Sequence, residues 1–345
     1  MKKFFLFLFI SLLLPSSTWQ AINSSIAKPM NLQLISSDID NTVIKFSMDG
    51  FHLVEANNSK GFIVKTENGA SLLEKGLPDL QKITKSVIIP DNANMTVNVI
   101  SYKYEDFENI HIVPSKGNLT RDVDPNQVPF IYNLAYKKNE FYPNQISELG
   151  SPYIVRDLRG QAVSFNPFQY NPVTKDLTII ENAEISLIEI ESNDVPFIPS
   201  KRSKAFEAIY ESMIVNYSSL SRDNVEYQRP GILYVLPSNI GDLFSTIEAL
   251  MEWKKRVGYD VNYVSSSSIV NNRNNLKDYI EEAYQTWENP PVHVTIVGDA
   301  SGNYDIPAWS ENFSGYNGDT DHPYTTLEGD DQFPEIFIGR ISFST

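Results

Sequence analysis

The chain has 345 residues, with 43 acidic residues against 28 basic ones and a formal net charge of -15 at pH 7. This length exceeds what one ordinary hydrophobic core supports, so two folded units are expected. The acidic balance argues against nucleic acid as a partner, because phosphates bind to basic surfaces, and it favours cation binding. No cysteine is present, which excludes disulfides, thiolate metal sites and a thiol nucleophile from these residues.

The N-terminus has the pattern of a secretory signal peptide. Two lysines precede an apolar run from Phe4 to Leu14, and a proline with small residues follows. The run is too short to span a bilayer comfortably, so we predict a signal peptide over residues 1–21, cleaved between Ser17 and Ala21. A retained anchor is the alternative, because the small-residue pattern at the cleavage site is poor. The protein is expected to be secreted or on the cell surface, with no other transmembrane segment.

From about Met30 to Glu191 apolar and polar residues alternate in short runs, such as TVIKFSM, FHLVEA, KSVIIP, QAVSF and DLTIIE. Turn sequences such as IPDNAN and NPVTKD separate these runs. An alternation of period two that is interrupted by Pro, Gly, Asn and Asp is typical of antiparallel strands. We therefore predict a β-rich, sandwich-like domain over residues 22–203.

Residues 204–229 are predicted to form a helix followed by a cleavable linker. Apolar residues recur at helical spacing in AFEAIYESMIVNY, and the polar stretch SSLSRDNVEYQRP follows it. Basic residues in and around this segment are candidate processing sites, namely Lys201, Arg202, Lys204, Arg222 and Arg229.

Residues 230–345 show a different periodicity. GILYVLP is a continuous apolar run typical of a strand that is buried on both faces, and YDVNYV and VHVTIV are two further strands. Two amphipathic helical stripes lie between them. This order predicts an α/β unit with a mainly parallel sheet and right-handed crossovers. Asp299 follows the third strand, where sites of such sheets gather, but no nucleotide-binding glycine motif occurs.

Nine carboxylates lie between Asp299 and Glu335, and no lysine or arginine occurs before Arg340. Carboxylates that a fold brings together repel one another, so a cation could neutralise them, and Ca²⁺ accepts carboxylate and carbonyl oxygens. A solvated acidic loop is one alternative. A catalytic acid and base formed by Asp331 and Glu335 is another. His322, in DTDHPY, is the histidine nearest to this segment and is a further candidate ligand or catalytic group.

Four blocks from Gly231 onward resemble the first part of the catalytic region of gingipain-type cysteine peptidases. They are GILYVLP, EALMEWKKRVGYDV, VTIVGDASGNYDIPAW and YTTLEGDDQFPEIFIGRIS. Upstream, GLPDLQKITKSVIIP, FNPFQYNPVTKDLTI and AFEAIYESMIVNY resemble the propeptide of that family. The resemblance implies a secreted zymogen in which a β-rich pro-domain packs on a caspase-like α/β catalytic region. Its substrates would be proteins or peptides.

The resemblance also implies structural Ca²⁺. The family's metal-binding positions correspond to Asp299, Asp331 and Glu335, with the carbonyls of Glu328 and Phe333 as further ligands. The doubled aspartate in GDDQ leaves open whether Asp330 or Asp331 takes this role.

The chain departs from the family in its catalytic residues. Such peptidases use a cysteine and a histidine that lies in a His-Gly sequence. The 345 residues contain no cysteine and no His-Gly sequence. We therefore expect the N-terminal portion of a gingipain-like cysteine endopeptidase zymogen, with residues 230–345 as the first part of the catalytic region, and no activity from this chain alone. The alternative is a non-enzymatic, calcium-stabilised secreted or cell-surface interaction protein.

Overall fold

The computed structural model describes residues 17–38, 40–57, 59–190, 197–219, 226–313 and 316–343. The apolar run of the predicted signal peptide lies outside these ranges. The first described segment, Ser17–Ala21, forms strand β1. The predicted cleavage range therefore coincides with a strand of the fold.

The N-terminal unit is built from antiparallel strands, as the alternating pattern predicts. After β1 these are β2 (Asn31–Asp38), β3 (Asn41–Ser47), β4 (Gly50–Glu55), β5 (Phe62–Lys65), β6 (Ala70–Ser71), β7 (Gln81–Ile88), β8 (Asn94–Phe107), β9 (Ser147–Val155), β10 (Leu158–Phe165), β11 (Phe168–Asn171) and β12 (Asp176–Ile190). They form sheets in the orders β1-β4-β5, β6-β7-β10-β9 and β11-β12-β3-β2, and β8 also pairs with β12. We call this unit the pro-domain.

The core of the pro-domain lies between its sheets. Phe46 on β3 stacks on Phe165 on β10 with ring centroids 4.1 Å apart, although the two strands belong to different sheets. Both side chains are fully buried. Face-to-face packing of this kind is the sandwich that the sequence predicts.

The C-terminal unit contains β13 (Gly231–Val235), α2 (Phe244–Arg256), β14 (Asp260–Val264), α3 (Ser267–Val270), α4 (Arg273–Thr286), β15 (Pro291–Val297), β16 (Trp309–Phe313), β17 (Tyr316–Thr320) and β18 (Phe337–Ile341). Its main sheet has the order β14-β13-β15-β18, and every neighbouring pair in it is parallel. β16 and β17 form a separate antiparallel hairpin.

The uninterrupted apolar sequence of β13 follows from its burial on both faces. Leu233 and Val235 pack in one cluster with residues of α4, whereas Ile232 and Tyr234 pack in another with Met251 of α2. A strand with a helix layer on each face needs apolar side chains at every position. The predicted α/β unit with a parallel sheet is confirmed.

The two units share a third apolar cluster, the junction core. Helix α1 (Glu207–Met213) lies at its centre, within the segment that the sequence predicts to be helical. The cluster joins residues of the pro-domain, of the α1 region and of the C-terminal unit: Ile88, Tyr153, Val155, Leu158, Phe206, Tyr210, Ile214, Tyr217 and Val292, with Phe333 and Phe337 packed against them.

Candidate processing residues that have contacts in the described part of the chain include Arg229 and Arg202. Arg229 donates from Nε and Nη2 to the carbonyls of Gly258 and Tyr259, at 2.8 and 2.9 Å. Arg202 pairs with Asp157 at 3.4 Å. Arg222 lies outside the described residues. No helix in the part of the chain that the structure describes is long and apolar enough to cross a membrane.

Candidate functional site: an acidic turn at the amino edge of the parallel sheet

The acidic turn, residues 327–335, leads into β18 and is folded around Glu335. This side chain is fully buried, and its Oε2 accepts hydrogen bonds from the backbone amides of Leu327 at 2.6 Å and Glu328 at 3.2 Å. Its own amide donates to the carbonyl of Thr325 at 3.0 Å. The second carboxylate oxygen, Oε1, is buried and has no hydrogen-bond partner among the described residues. A buried oxygen without a partner is costly and indicates that something else can bind there.

Of the doubled aspartate, Asp331 is the residue that faces into the turn. Its Oδ1 accepts from the amide of Phe333 at 2.7 Å, and its Oδ2 accepts from the amide of Ile154 at 2.8 Å. Asp330 is exposed. Gly329 has φ +76, and a Cβ there would lie 2.7 Å from Asp331 Oδ2, so the turn requires glycine at this position.

Electrostatic coupling links the carboxylates of the turn. Burial, together with the smaller effect of the charges of Asp331 and Glu328, raises the pKa of Glu335 to about 7, even though the two amide hydrogen bonds lower it. Burial also raises the pKa of Glu328, whose Oε2 lies 3.2 Å from the Tyr284 hydroxyl. A cation would relieve this repulsion and favour the ionised carboxylates.

The donor set partly meets the needs of Ca²⁺. In the described part of the chain, no three His, Asp or Glu side chains converge into a group that could hold a metal ion. Calcium also takes backbone carbonyls and water, so a small number of side-chain ligands does not exclude it. The buried, partnerless Oε1 of Glu335 is the feature of this turn that suits an oxygen-coordinated cation.

Asp299 is not brought together with the other four predicted ligands. In the parallel pairing of β15 with β18, His293 is level with Phe337 and Val297 with Ile341. Glu335 therefore lies before the amino end of β18, and Asp299 lies beyond the carboxyl end of β15. About eight residues of strand, or roughly 25 Å, separate the two levels. At this separation Asp299 and the acidic turn do not share one ion.

Asp299 instead closes its own loop. Its Oδ1 accepts from the amide of Ala300 at 2.8 Å, and its carbonyl accepts from the amide of Ile306 at 2.9 Å. Gly298 before it has φ +135, and a Cβ there would lie 2.2 Å from the carbonyl oxygen of Tyr304. Any cation at Asp299 would occupy a site of its own.

His322 and Asp321, which also lie in the acidic segment, have partners within the C-terminal unit. His322 is exposed, and its Nε2 lies 3.0 Å from the carbonyl of Gln332. Arg340 forms a bidentate pair with Asp321, with distances of 2.9 Å from Nε and 2.6 Å from Nη2. Arg340 therefore neutralises one carboxylate of the acidic segment.

Sequence reasoning missed Arg156, at the tip of the β9–β10 hairpin. This side chain is fully buried. Nη1 donates to the carbonyls of Glu335 at 2.9 Å and Pro291 at 3.3 Å, and Nη2 donates to Gln228 Oε1 at 2.8 Å. No sequence signal marks it, because its partners are 72 to 179 positions away.

The comparisons with known proteins agree with this architecture. Residues 24–224 match the family model Propeptide_C25, and residues 226–345 match Peptidase family C25. Gingipain R1 of Porphyromonas gingivalis is 32% identical over 330 residues, which are 93% of this chain and 32% of that protein. Gingipain R2 of the same organism is 30% identical over 320 residues, which are 90% of this chain and 42% of that protein. The chain therefore spans less than half the length of these relatives.

A solved complex of the pro- and mature domains of RgpB from Porphyromonas gingivalis is also similar. The match has a TM-score of 0.50 and 32% sequence identity, and it covers 54% of this chain and 97% of the matched chain.

Proposed function

Because the chain belongs to peptidase family C25, with the family's propeptide followed by the start of its peptidase region, we propose that it serves as the N-terminal portion of a secreted cysteine endopeptidase zymogen. The observation that carries this proposal is the docking of the pro-domain, whose hairpin tip buries Arg156 against the C-terminal unit. The alternative of a non-enzymatic interaction protein is not favoured, because both matched models belong to a peptidase family.

The chain's own residues would supply folding and latency rather than bond cleavage. In the proposed enzyme a cysteine thiolate attacks the peptide carbonyl and forms an acyl-enzyme, and a histidine acts as general base and then general acid. These 345 residues contain no cysteine. Their role is to hold the pro-domain on the parallel sheet through the junction core and Arg156. Secretion is supported by the lysines and apolar run of the N-terminus.

Peptide hydrolysis tests this proposal. The purified 345-residue chain is expected to release no product from a mixed peptide library above the buffer rate, with or without reductant, because it has no thiol nucleophile. The reading frame downstream of the Thr345 codon is expected to encode a cysteine and a His-Gly sequence. Cleavage by the cysteine-free chain, or a stop codon directly after Thr345, would contradict the zymogen proposal.

We also propose that the acidic turn binds a structural Ca²⁺. Glu335 and Asp331 would be its side-chain ligands, with the carbonyls of Glu328 and Phe333, and Asp299 would belong to a separate site. The support is the buried Oε1 of Glu335 without a described partner and the mutual repulsion of the three carboxylates. A bound cation would supply charge neutralisation and fix the shape of the turn.

Thermal unfolding with and without a chelator measures how much calcium stabilises the chain. At a calcium concentration 100 times Kd, the free energy of unfolding is expected to be about 2.7 kcal/mol higher than that of the chelated chain. Glu335→Ala should abolish most of that gain, whereas Asp330→Asn, an exposed change on the same turn, should keep it. An equal calcium effect in the wild type and in Glu335→Ala would remove the turn as the site.

A further inference from the structure

The hairpin tip of the pro-domain, residues 153–158, contacts the acidic turn directly. The amide of Ile154 donates to Asp331 Oδ2 at 2.8 Å, and Arg156 donates to the carbonyl of Glu335 at 2.9 Å. The ring of Tyr153 stacks on Phe333 with centroids 4.2 Å apart. Three of the proposed calcium ligands therefore each have a contact in the pro-domain.

Glu328, the fourth proposed ligand of the turn, is linked to the hairpin through one hydroxyl. Tyr284 Oη lies 3.2 Å from Glu328 Oε2 and 3.2 Å from the carbonyl of Arg156. The guanidinium of Arg156 lies over the rings of Phe206 and Tyr284, 5.4 Å from each centroid. The Tyr284 hydroxyl thus contacts both the hairpin tip and the acidic turn.

The backbone of Arg156 supports a specific role for this contact. It has φ +54, in the left-handed region that non-glycine residues rarely adopt. Such a conformation is strained and persists only where the surroundings enforce it. Here the enforcing partners are two carbonyls of the C-terminal unit and Gln228.

The hairpin leaves the proposed metal-binding atoms available. Arg156 binds the carbonyl of Glu335 and not its carboxylate, so Oε1 remains without a described partner. Asp331 Oδ2 accepts one amide and retains a further lone pair. The contacts therefore order the turn without filling the place that a cation would take.

We infer that docking of the pro-domain hairpin and cation binding in the acidic turn are positively coupled, with Arg156 as the positioning residue that joins them. This inference rests on the proposed calcium site. The hairpin holds the turn in its cation-binding shape, and the cation in turn strengthens hairpin docking, because coupling between two binding events is reciprocal.

Calorimetric titration of the full chain with CaCl₂ tests the coupling. Arg156→Gly removes the guanidinium but suits the left-handed turn, and it is expected to raise the Kd for calcium by roughly 5- to 150-fold. Lys175→Gly is the matched control, because Lys175 is also a cation at positive φ, +63, in an exposed pro-domain turn. The control should change Kd by less than about twofold. Arg156→Lys, which keeps the charge but loses the planar fork, should be intermediate.

Hydrogen exchange on the wild type provides a measurement that needs no variant. Calcium is expected to slow amide exchange in residues 153–156 of the pro-domain as well as in residues 327–335. Equal calcium affinity in the wild type and in Arg156→Gly, or unchanged exchange of residues 153–156, would overturn the coupling alone. A wild-type chain that binds no calcium would overturn both this inference and the calcium proposal, and the proposed zymogen would stand.

Discussion

Replacing Phe206 by alanine is expected to destabilise the chain by about 3–5 kcal/mol and to split its thermal unfolding into two transitions. Phe206 is 1% exposed and lies in the junction core, where its ring is 4.7 Å from that of Phe337 on β18. It also lies under the guanidinium of Arg156. Its truncation leaves a cavity between the pro-domain and the C-terminal unit. The variant therefore weakens the packing that makes the two units unfold together.

The matched control is Phe46→Ala, an identical change in the core of the pro-domain, where Phe46 is fully buried. It should cost a similar free energy but weaken only the pro-domain. Differential scanning calorimetry distinguishes the two variants by the number of transitions. Hydrogen exchange then identifies the unit that opens first. A single transition in Phe206→Ala with a normal midpoint would mean that the junction core does not couple the units.

Between roughly pH 4.5 and pH 7, the chelated wild type is expected to lose about 3 kcal/mol of its free energy of unfolding. The variant Glu335→Gln is not expected to show this loss. Burial raises the pKa of Glu335 from 4.5 to about 7 in the folded state. The folded chain therefore holds the proton more tightly than the unfolded chain. The contribution of Glu335 to stability is fully present below pH 4.5 and is lost as the pH rises through 7.

Urea unfolding at pH 5 and pH 8, with chelator, measures this effect as the difference between the wild type and the variant. Glutamine keeps an oxygen for the amides of Leu327 and Glu328 but cannot ionise. Asp330→Asn, on the exposed part of the same turn, should retain the wild-type pH dependence. Calcium should reduce the dependence in the wild type, because a bound cation favours the ionised carboxylate. Identical pH profiles for Glu335→Gln and the wild type would show that Glu335 does not titrate in this range.

Local patterns were sufficient to predict the fold class. Alternation of period two in runs such as TVIKFSM places every second side chain on one face of a strand, and it predicted the sandwich in which Phe46 is buried. The uninterrupted run GILYVLP predicted a strand covered on both faces, and the structure places α2 and α4 on opposite faces of β13. These signals are local because the periodicity of a segment reports which of its faces are buried.

The sequence also singled out the acidic turn, but not its place in the sheet. The density of carboxylates and the resemblance to the family indicated Asp299, Glu328, Asp331, Phe333 and Glu335 together. The register of β15 with β18 puts Asp299 at one end of the sheet and the other four at the opposite end. Register is a relation between segments that are distant in the chain, so the spacing of residues along the chain cannot determine it.

By itself, therefore, the sequence determined the two folded units, the order of their strands and helices, the family and the chemical nature of the candidate ligands. Only the tertiary structure decided that Asp331 rather than Asp330 faces into the turn, and that Arg156 reaches Glu335 from 179 positions away. The physical reason is that a buried guanidinium is stable only where carbonyl acceptors converge on it. These acceptors come from segments that meet only when the pro-domain docks.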